Sequence, residues 1–188
     1  PYIIMISDEN LAIQVRGGNK ELFGTLIDRY EAKLTRYVSR FIQTEEDVVD
    51  IVQNIFIKAY VHLQTFDVSR SFNAWIYRIA HNEAVSHLKK KGREKVSFLD
   101  FDTLFPHPFA KETADRDFLN EELKTVLETS LSTLSPKYRE VLILYYYEEL
   151  SYQEIAEVLH IPIATVGVRL RRAKAELAAC VASNHYHI

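Results

Sequence analysis

The sequence predicts an all-α protein: two small helical domains joined by a linker, the second a helix-turn-helix domain. Three observations lead there. Glycine and proline are scarce, 5 of each in 188 residues, which disfavours a turn-rich β architecture. Apolar residues recur at helical spacing through most of the chain. Towards the C-terminus, Ser151-Tyr152-Gln153-Glu154 has the form of a capping box, and it opens two short amphipathic stretches separated by His160-Ile161-Pro162.

The elements follow in order. A short helix from about Asp8 to Arg16 is expected to end at Gly17-Gly18. Asn19 is a fair N-cap for a long helix whose core stripe is Leu22, Phe23, Leu26, Ile27, Tyr30, Leu34, Tyr37, Val38 and Phe41. Thr44 with Asp47 resembles a capping box for a third helix, striped by Val48, Ile51, Val52, Ile55, Phe56, Ala59, Tyr60 and Leu63. Its other side carries Glu46, Asp50, Gln53, Asn54, Ile57 and Lys58, an acidic and amide setting around an exposed isoleucine that suits docking of another protein.

A fourth helix has Phe72, Trp75, Ile76, Ile79 and Ala80 on one face and Tyr77, Arg78, His81, Asn82 and Ser86 on the other. It runs out into Lys89, Lys90 and Lys91, cations suited to the last-turn dipole. Its entry, Asp67 to Ser71, lies between Phe66 and Phe72. Rings beside cations and amides can stack an unpaired base while neutralising its phosphates.

Residues 96–116 lack a helical period and contain Pro106-His107-Pro108, which reads as an acidic linker between domains at 1–95 and 117–188. Leu119, Leu123, Val126, Leu127, Leu131 and Leu134 stripe the next helix. Ser135-Pro136 starts another, and its run Tyr145-Tyr146-Tyr147 is expected to be mostly core. In the helix-turn-helix, Ile155, Ala156 and Leu159 stripe the first helix, and Val166, Leu170, Ala173 and Leu177 the second. That leaves Ala164, Thr165, Gly167, Val168, Arg169, Arg171 and Arg172 on the side that would enter a major groove.

Charge supports a polyanionic partner. The net charge of -3 conceals a basic run at 89–95 (5 bases, 1 acid), a second at 163–177 (4 bases, 1 acid) and an acidic stretch between them (8 acids, 3 bases at 97–133). Enzyme chemistry has no motif here. His81, His87, His160, His185, His187 and Cys180 show no metal-ligand spacing, and there is no glycine-rich phosphate loop. No cofactor is implied. Cys180 is the single cysteine and no apolar run is long enough to span a bilayer, so a cytoplasmic address without membrane insertion is expected. The start, PYIIMI, has no basic n-region, so a signal peptide is not expected.

Several motifs together resemble the sigma factors of bacterial RNA polymerase, in their compact extracytoplasmic-function (ECF) group. The stretch Asp47 to Phe56, DVVDIVQNIF, is similar to the one that docks on the polymerase clamp. Phe72 to Asn82, FNAWIYRIAHN, resembles the helix that melts and reads the downstream promoter element. Leu134 to Val141 and Ser151 to Lys174 resemble the domain that reads the upstream element. The resemblance implies core RNA polymerase, promoter DNA and an anti-sigma factor as partners. It assigns Asp47, Asp50, Gln53, Asn54 and Ile57 to the polymerase. Phe66, Phe72, Trp75, Tyr77, Arg78 and Asn82 would capture and read an extruded base, with Lys89, Lys90 and Lys91 on phosphates. A stand-alone helix-turn-helix regulator is the alternative, which leaves the first domain without a task. The chain departs from the family at Ala164, Gly167 and Val168, where glycine, lysine and serine are usual, and at His81 and Ser86, where arginine and aspartate are frequent. A phosphate-binding lysine and a hydroxyl are lost at the groove, and a valine able to meet a thymine methyl is gained.

Overall fold

A computed structural model describes residues 6–91, 127 and 129–185, and all regular structure among them is helical. The linker at 96–116 and the stripe positions Leu119, Leu123 and Val126 lie outside those residues, as do Arg93, Lys95 and His187. The first domain packs α1 (Asp8–Arg16), α2 (Leu22–Ser39), α3 (Glu45–His62) and α4 (Phe72–Lys90) around one core. The second contains α5 (Pro136–Leu142), a π-helical turn (Ile143–Tyr147), α6 (Tyr152–Leu159) and α7 (Ile163–His185), preceded by helical residues at 129–133.

Ser7 caps α1, its Oγ accepting from Asn10 N at 3.3 Å. α2 starts two residues later than Asn19 as its cap would have it. Gly18, at φ 110°, turns the chain, and the amides of Leu22, Phe23 and Gly24 then bond three residues back before the wider helix takes over. Thr44 flanks α3 but caps no backbone amide with its side chain. The apolar stripes of α2 and α3 are buried largely as periodicity requires. Tyr60 is the exception: it is 41% exposed and meets Phe23 edge-on at 5.1 Å.

In the second domain Pro136 fills the first helical position of α5, where its missing N–H costs nothing. Arg139 is buried. It donates from Nη2 to the carbonyls of Ser132 (2.8 Å) and Leu134 (3.1 Å), so it fastens the turn between the helical residues at 129–133 and α5. The tyrosine run is not mostly core. Glu148 N bonds back five residues to Ile143 O at 3.2 Å, and the extra residue in this turn swings the chain round. Tyr145 is half-buried, while Tyr146 and Tyr147 are 52% and 47% exposed.

The capping box at α6 is complete: Glu154 N donates to Ser151 Oγ (3.3 Å) and Ser151 N to Glu154 Oε2 (2.8 Å). Burial would raise the Glu154 carboxyl, but hydrogen bonds from Ser71 and from Ser151 together outweigh it and hold the group below its usual range. Ser151→Ala should therefore cost about 1 kcal/mol of stability, read from the denaturant midpoint. His160 ends α6 in the left-handed conformation, φ 53° and ψ 42°. Ile161 then bonds back to Ala156 O at 3.1 Å and packs against the core, which turns the chain into α7.

The two domains meet along α4, against which α6 lies. Buried apolar residues of both join in one continuous cluster.

Candidate nucleic-acid interface

The loop at 66–71 is held from α1 and from within. Arg16 Nη1 donates to Phe66 O at 3.1 Å, and Glu9 Oε1 accepts from Phe72 N at 2.9 Å. Asp67 Oδ1 accepts from Ser69 N (3.0 Å) and Ser69 Oγ (2.7 Å), bonds that keep its carboxyl below the ordinary range. Ser71 caps α4 through Ala74 N at 3.2 Å. A cleft of about 170 Å³ opens beside this loop, lined by Asp67, Arg70, Ser71, Trp75 and Arg78 from the first domain and Glu157 from α6. A half-exposed aromatic ring beside two guanidinium groups suits a stacked base and its phosphates.

The expectation that Phe66 and Phe72 offer free rings is corrected. They are 3% and 0% exposed, packed at 5.5 Å from each other and within 5.0 to 5.4 Å of Trp75. Burial of their full apolar area is the stronger demand, so they shape the floor under Trp75, which alone of the three is half-exposed. Arg70, in contrast, was not singled out from sequence. An arginine in a short polar loop has no periodicity to mark it.

Tyr77 is corrected as well. The sequence puts it on the polar side of α4 beside His81, yet both are buried. The second domain covers them. Tyr77 Oη donates to Glu148 Oε2, and Asn73 Nδ2 to Glu148 O at 3.3 Å. Tyr37 Oη donates to Glu140 Oε1 at 2.7 Å, and His81 Nδ1 lies 2.8 Å from the same oxygen. Burial raises Glu148 above the usual carboxylate range and pushes both tyrosines well above theirs. Outside this buried core, Arg70 Nη2 meets Glu157 Oε1 at 3.2 Å, and Arg40 stacks over the Tyr147 ring at 4.4 Å. The Arg70 pair is exposed and worth under about 1 kcal/mol. The clasp therefore rests on its buried members.

Asn82 is exposed beyond the covered strip, Arg78 half-buried at the cleft. Lys90 and Lys91 are exposed at the end of α4, with Lys89 half-buried. Lys91 is paired to Asp47 Oδ2, so one of three expected phosphate contacts and one expected polymerase contact bind each other. That bond lowers the Asp47 carboxyl, and His87 Nε2 adds to it from 3.6 Å.

On α3 the structure leaves Asp50, Gln53, Asn54 and Ile57 exposed. It adds Val49 and Val61, 47% and 64% exposed, eight residues before and four residues after Ile57 (60%), with the polar Gln53 at the position between Val49 and Ile57.

On α7, Ala164, Val168, Arg171 and Arg172 are exposed, and Thr165, Gly167 and Arg169 are half-buried. Val166, Leu170 and Ala173 are buried against the rest of the domain, as the stripe requires. The exposed side of α7 thus alternates apolar surface at its N-terminal end with cations further along.

Comparison with known proteins places these two helical domains. Residues 26–94 match Sigma-70 region 2, and residues 124–177 match Sigma-70, region 4. A chain carrying both in this order is a sigma factor of the sigma-70 class. It belongs, more narrowly, to the ECF RNA polymerase sigma factors. It is 32% identical over 170 residues to ECF RNA polymerase sigma factor SigW of Bacillus subtilis (strain 168), covering 87% of this chain and 91% of that protein. Against the ECF RNA polymerase sigma-E factor of Escherichia coli (strain K12) the identity is 34% over 176 residues, with 90% and 91% covered. Among solved structures, CnrH in complex with the cytosolic domain of CnrY matches with a TM-score of 0.68 at 28% identity, over 95% of this chain and 99% of that one. The sigma factor RpoE of Bartonella quintana, in complex with the anti-sigma factor NepR, gives 0.68 at 25% identity, over 85% and 96%.

Proposed function

We propose that this chain binds core RNA polymerase and directs it to promoters, with the labour divided between residues 1–95 and 117–188 across the linker at 96–116. What carries the reading is the pairing, in one chain, of a region 2 domain holding a cation-lined cleft with a region 4 domain presenting α7. The exposed face of α3 docks on polymerase through Asp50, Gln53, Asn54 and Ile57. The cleft between Arg70, Trp75 and Arg78 receives an extruded base of the downstream element, and Asn82 reads a base edge. Flipping that base costs a few kcal/mol, returned by stacking and phosphate contacts. α7 enters the major groove of the upstream duplex, with Arg171 and Arg172 on phosphates and guanine edges.

Nothing in this scheme requires catalysis by the chain itself; the work is binding, carried out in the cytoplasm with the polymerase. An anti-sigma factor is the regulatory partner the reading includes, because two similar structures hold CnrY and NepR. Among the described residues no helix is long and apolar enough to cross a membrane.

Run-off transcription with core polymerase on a randomised promoter library tests the proposal. Transcripts should depend on this chain and select two separated sequence elements. Tight duplex binding without polymerase, and no selected transcripts, would count against it. Arg171→Ala should flatten the salt dependence of upstream binding by about 0.9 in log–log slope, the signature of one lost phosphate contact.

A further inference from the structure

Among residues 163–168, at the groove-facing end of α7, Thr165 is the one polar residue, and it is half-buried. Ile163, Ala164 and Val168 are exposed, Val168 to 42%, and no side chain leaves Gly167. The space beside that glycine is taken by a neighbour. A Cβ placed on Gly167 would lie 3.6 Å from Cε2 of Tyr152, so the tyrosine ring from the start of α6 lies along the helix where a side chain would stand. Tyr152 itself remains 39% exposed and is steadied from behind by Tyr145, edge-on at 5.4 Å. An exposed aromatic ring beside Gly167 and an exposed branched aliphatic side chain at the next residue, Val168, thus stand at this end of α7, with Arg171 and Arg172 exposed one turn further along.

We propose that Val168 and the Tyr152 ring together form a thymine-methyl reader, so that the upstream specificity of this chain rests on an apolar contact at that end of α7. In the major groove the C5 methyl of thymine is the one apolar feature of any base pair. The Val168 side chain and the face of the Tyr152 ring offer no hydrogen bond, so they gain from that methyl and give nothing to the polar edge of a cytosine in its place. The flanking arginines hold the helix on the backbone and make the duplex, not an apolar protein, the occupant. Gly167 keeps that space for the ring: a Cβ alone would still fit at ordinary contact distance, and a longer side chain would compete with the ring for it. The inference rests on the reading that α7 enters the upstream duplex.

The test uses the full chain reconstituted with core polymerase. A promoter with the preferred upstream element is selected from a randomised library, and each thymine in that element is replaced in turn by deoxyuridine, which lacks only the methyl. One replacement should lower promoter binding about fourfold, the equivalent of one buried methyl-sized group. Val168→Ser, a change on an exposed position, should lower binding to the thymine promoter by a similar factor and make thymine and uracil indistinguishable at that base pair. Tyr152→Phe should keep the thymine preference. An upstream preference that no uracil replacement alters overturns the inference while leaving the promoter reading intact. Absence of any upstream preference removes both.

Discussion

Ile57→Asp should weaken binding to core RNA polymerase at least thirtyfold, about 2 kcal/mol, while leaving thermal unfolding unchanged. Single exposed isoleucines are common and need no explanation. This one is flanked on the same helix face by Val49 and Val61, each about half or more exposed, with Asp50, Gln53 and Asn54 alongside. Exposed apolar groups on one helix face among polar ones have the anatomy of an interface centre, where truncation costs most. An aspartate there must lose its hydration when the partner arrives. Because Ile57 takes no part in the core, its replacement should not disturb α3. Titration of labelled core polymerase against each variant measures the loss. Asp50→Lys, at the polar edge, should cost less and act chiefly on the association rate. Unchanged affinity in Ile57→Asp would remove this face of α3 from the interface.

The second large effect is expected at the clasp. Glu148→Lys should shift the two domains from packed towards separated by on the order of 3 kcal/mol, more than a hundredfold. The substitution leaves Tyr77 without its acceptor and buries a cation in a site that already faces Arg36, Lys33 and Arg40. Small-angle scattering should report a larger radius of gyration, and circular dichroism an unchanged helix content. The wild-type chain should show the same movement in milder form with pH. Burial raises the Glu148 carboxyl in the packed state, against about 4.3 for a free glutamate. The packed state therefore holds the proton more tightly. That contribution is complete below the free value and is lost as pH rises through the raised one, so alkalinisation loosens the clasp. Glu148→Gln keeps a hydrogen-bonding group without the titration and should abolish this pH dependence. A radius of gyration that stays fixed in Glu148→Lys would mean the contact does not hold the domains together.

Helix existence was legible from one kind of signal, apolar residues at a 3.6 spacing, and α2, α3 and α7 bury most of the positions that signal named. The capping box at Ser151 was legible for the same reason: local bonds need only local residues. What escaped was every feature made by distant segments. Nothing near Glu140 or Glu148 in sequence shows that Tyr37, Tyr77 and His81 will meet them. Glu140 shares a helix face with Pro136, and both prove buried, so the carboxylate needs a partner inside. Phe66 and Phe72 were ambiguous by composition, since an aromatic suits a base and a core equally. Burial decided for the core. The tyrosines at 145–147 misled because periodicity assumes four-residue bonding, and here the ladder widens to five.

The clasp has a further meaning because both its halves belong to one chain. Tethering supplies each half to the other at an effective concentration on the order of millimolar. Contacts that would amount to a Kd of about 1 mM between separate molecules, about -4.1 kcal/mol, then leave the chain near equal populations of closed and open forms. From that point, each 1.4 kcal/mol of preference for either form changes their ratio tenfold. A partner that recognises α4 with Tyr77 and His81 uncovered draws the chain open, and one that spans both halves while they touch keeps it shut.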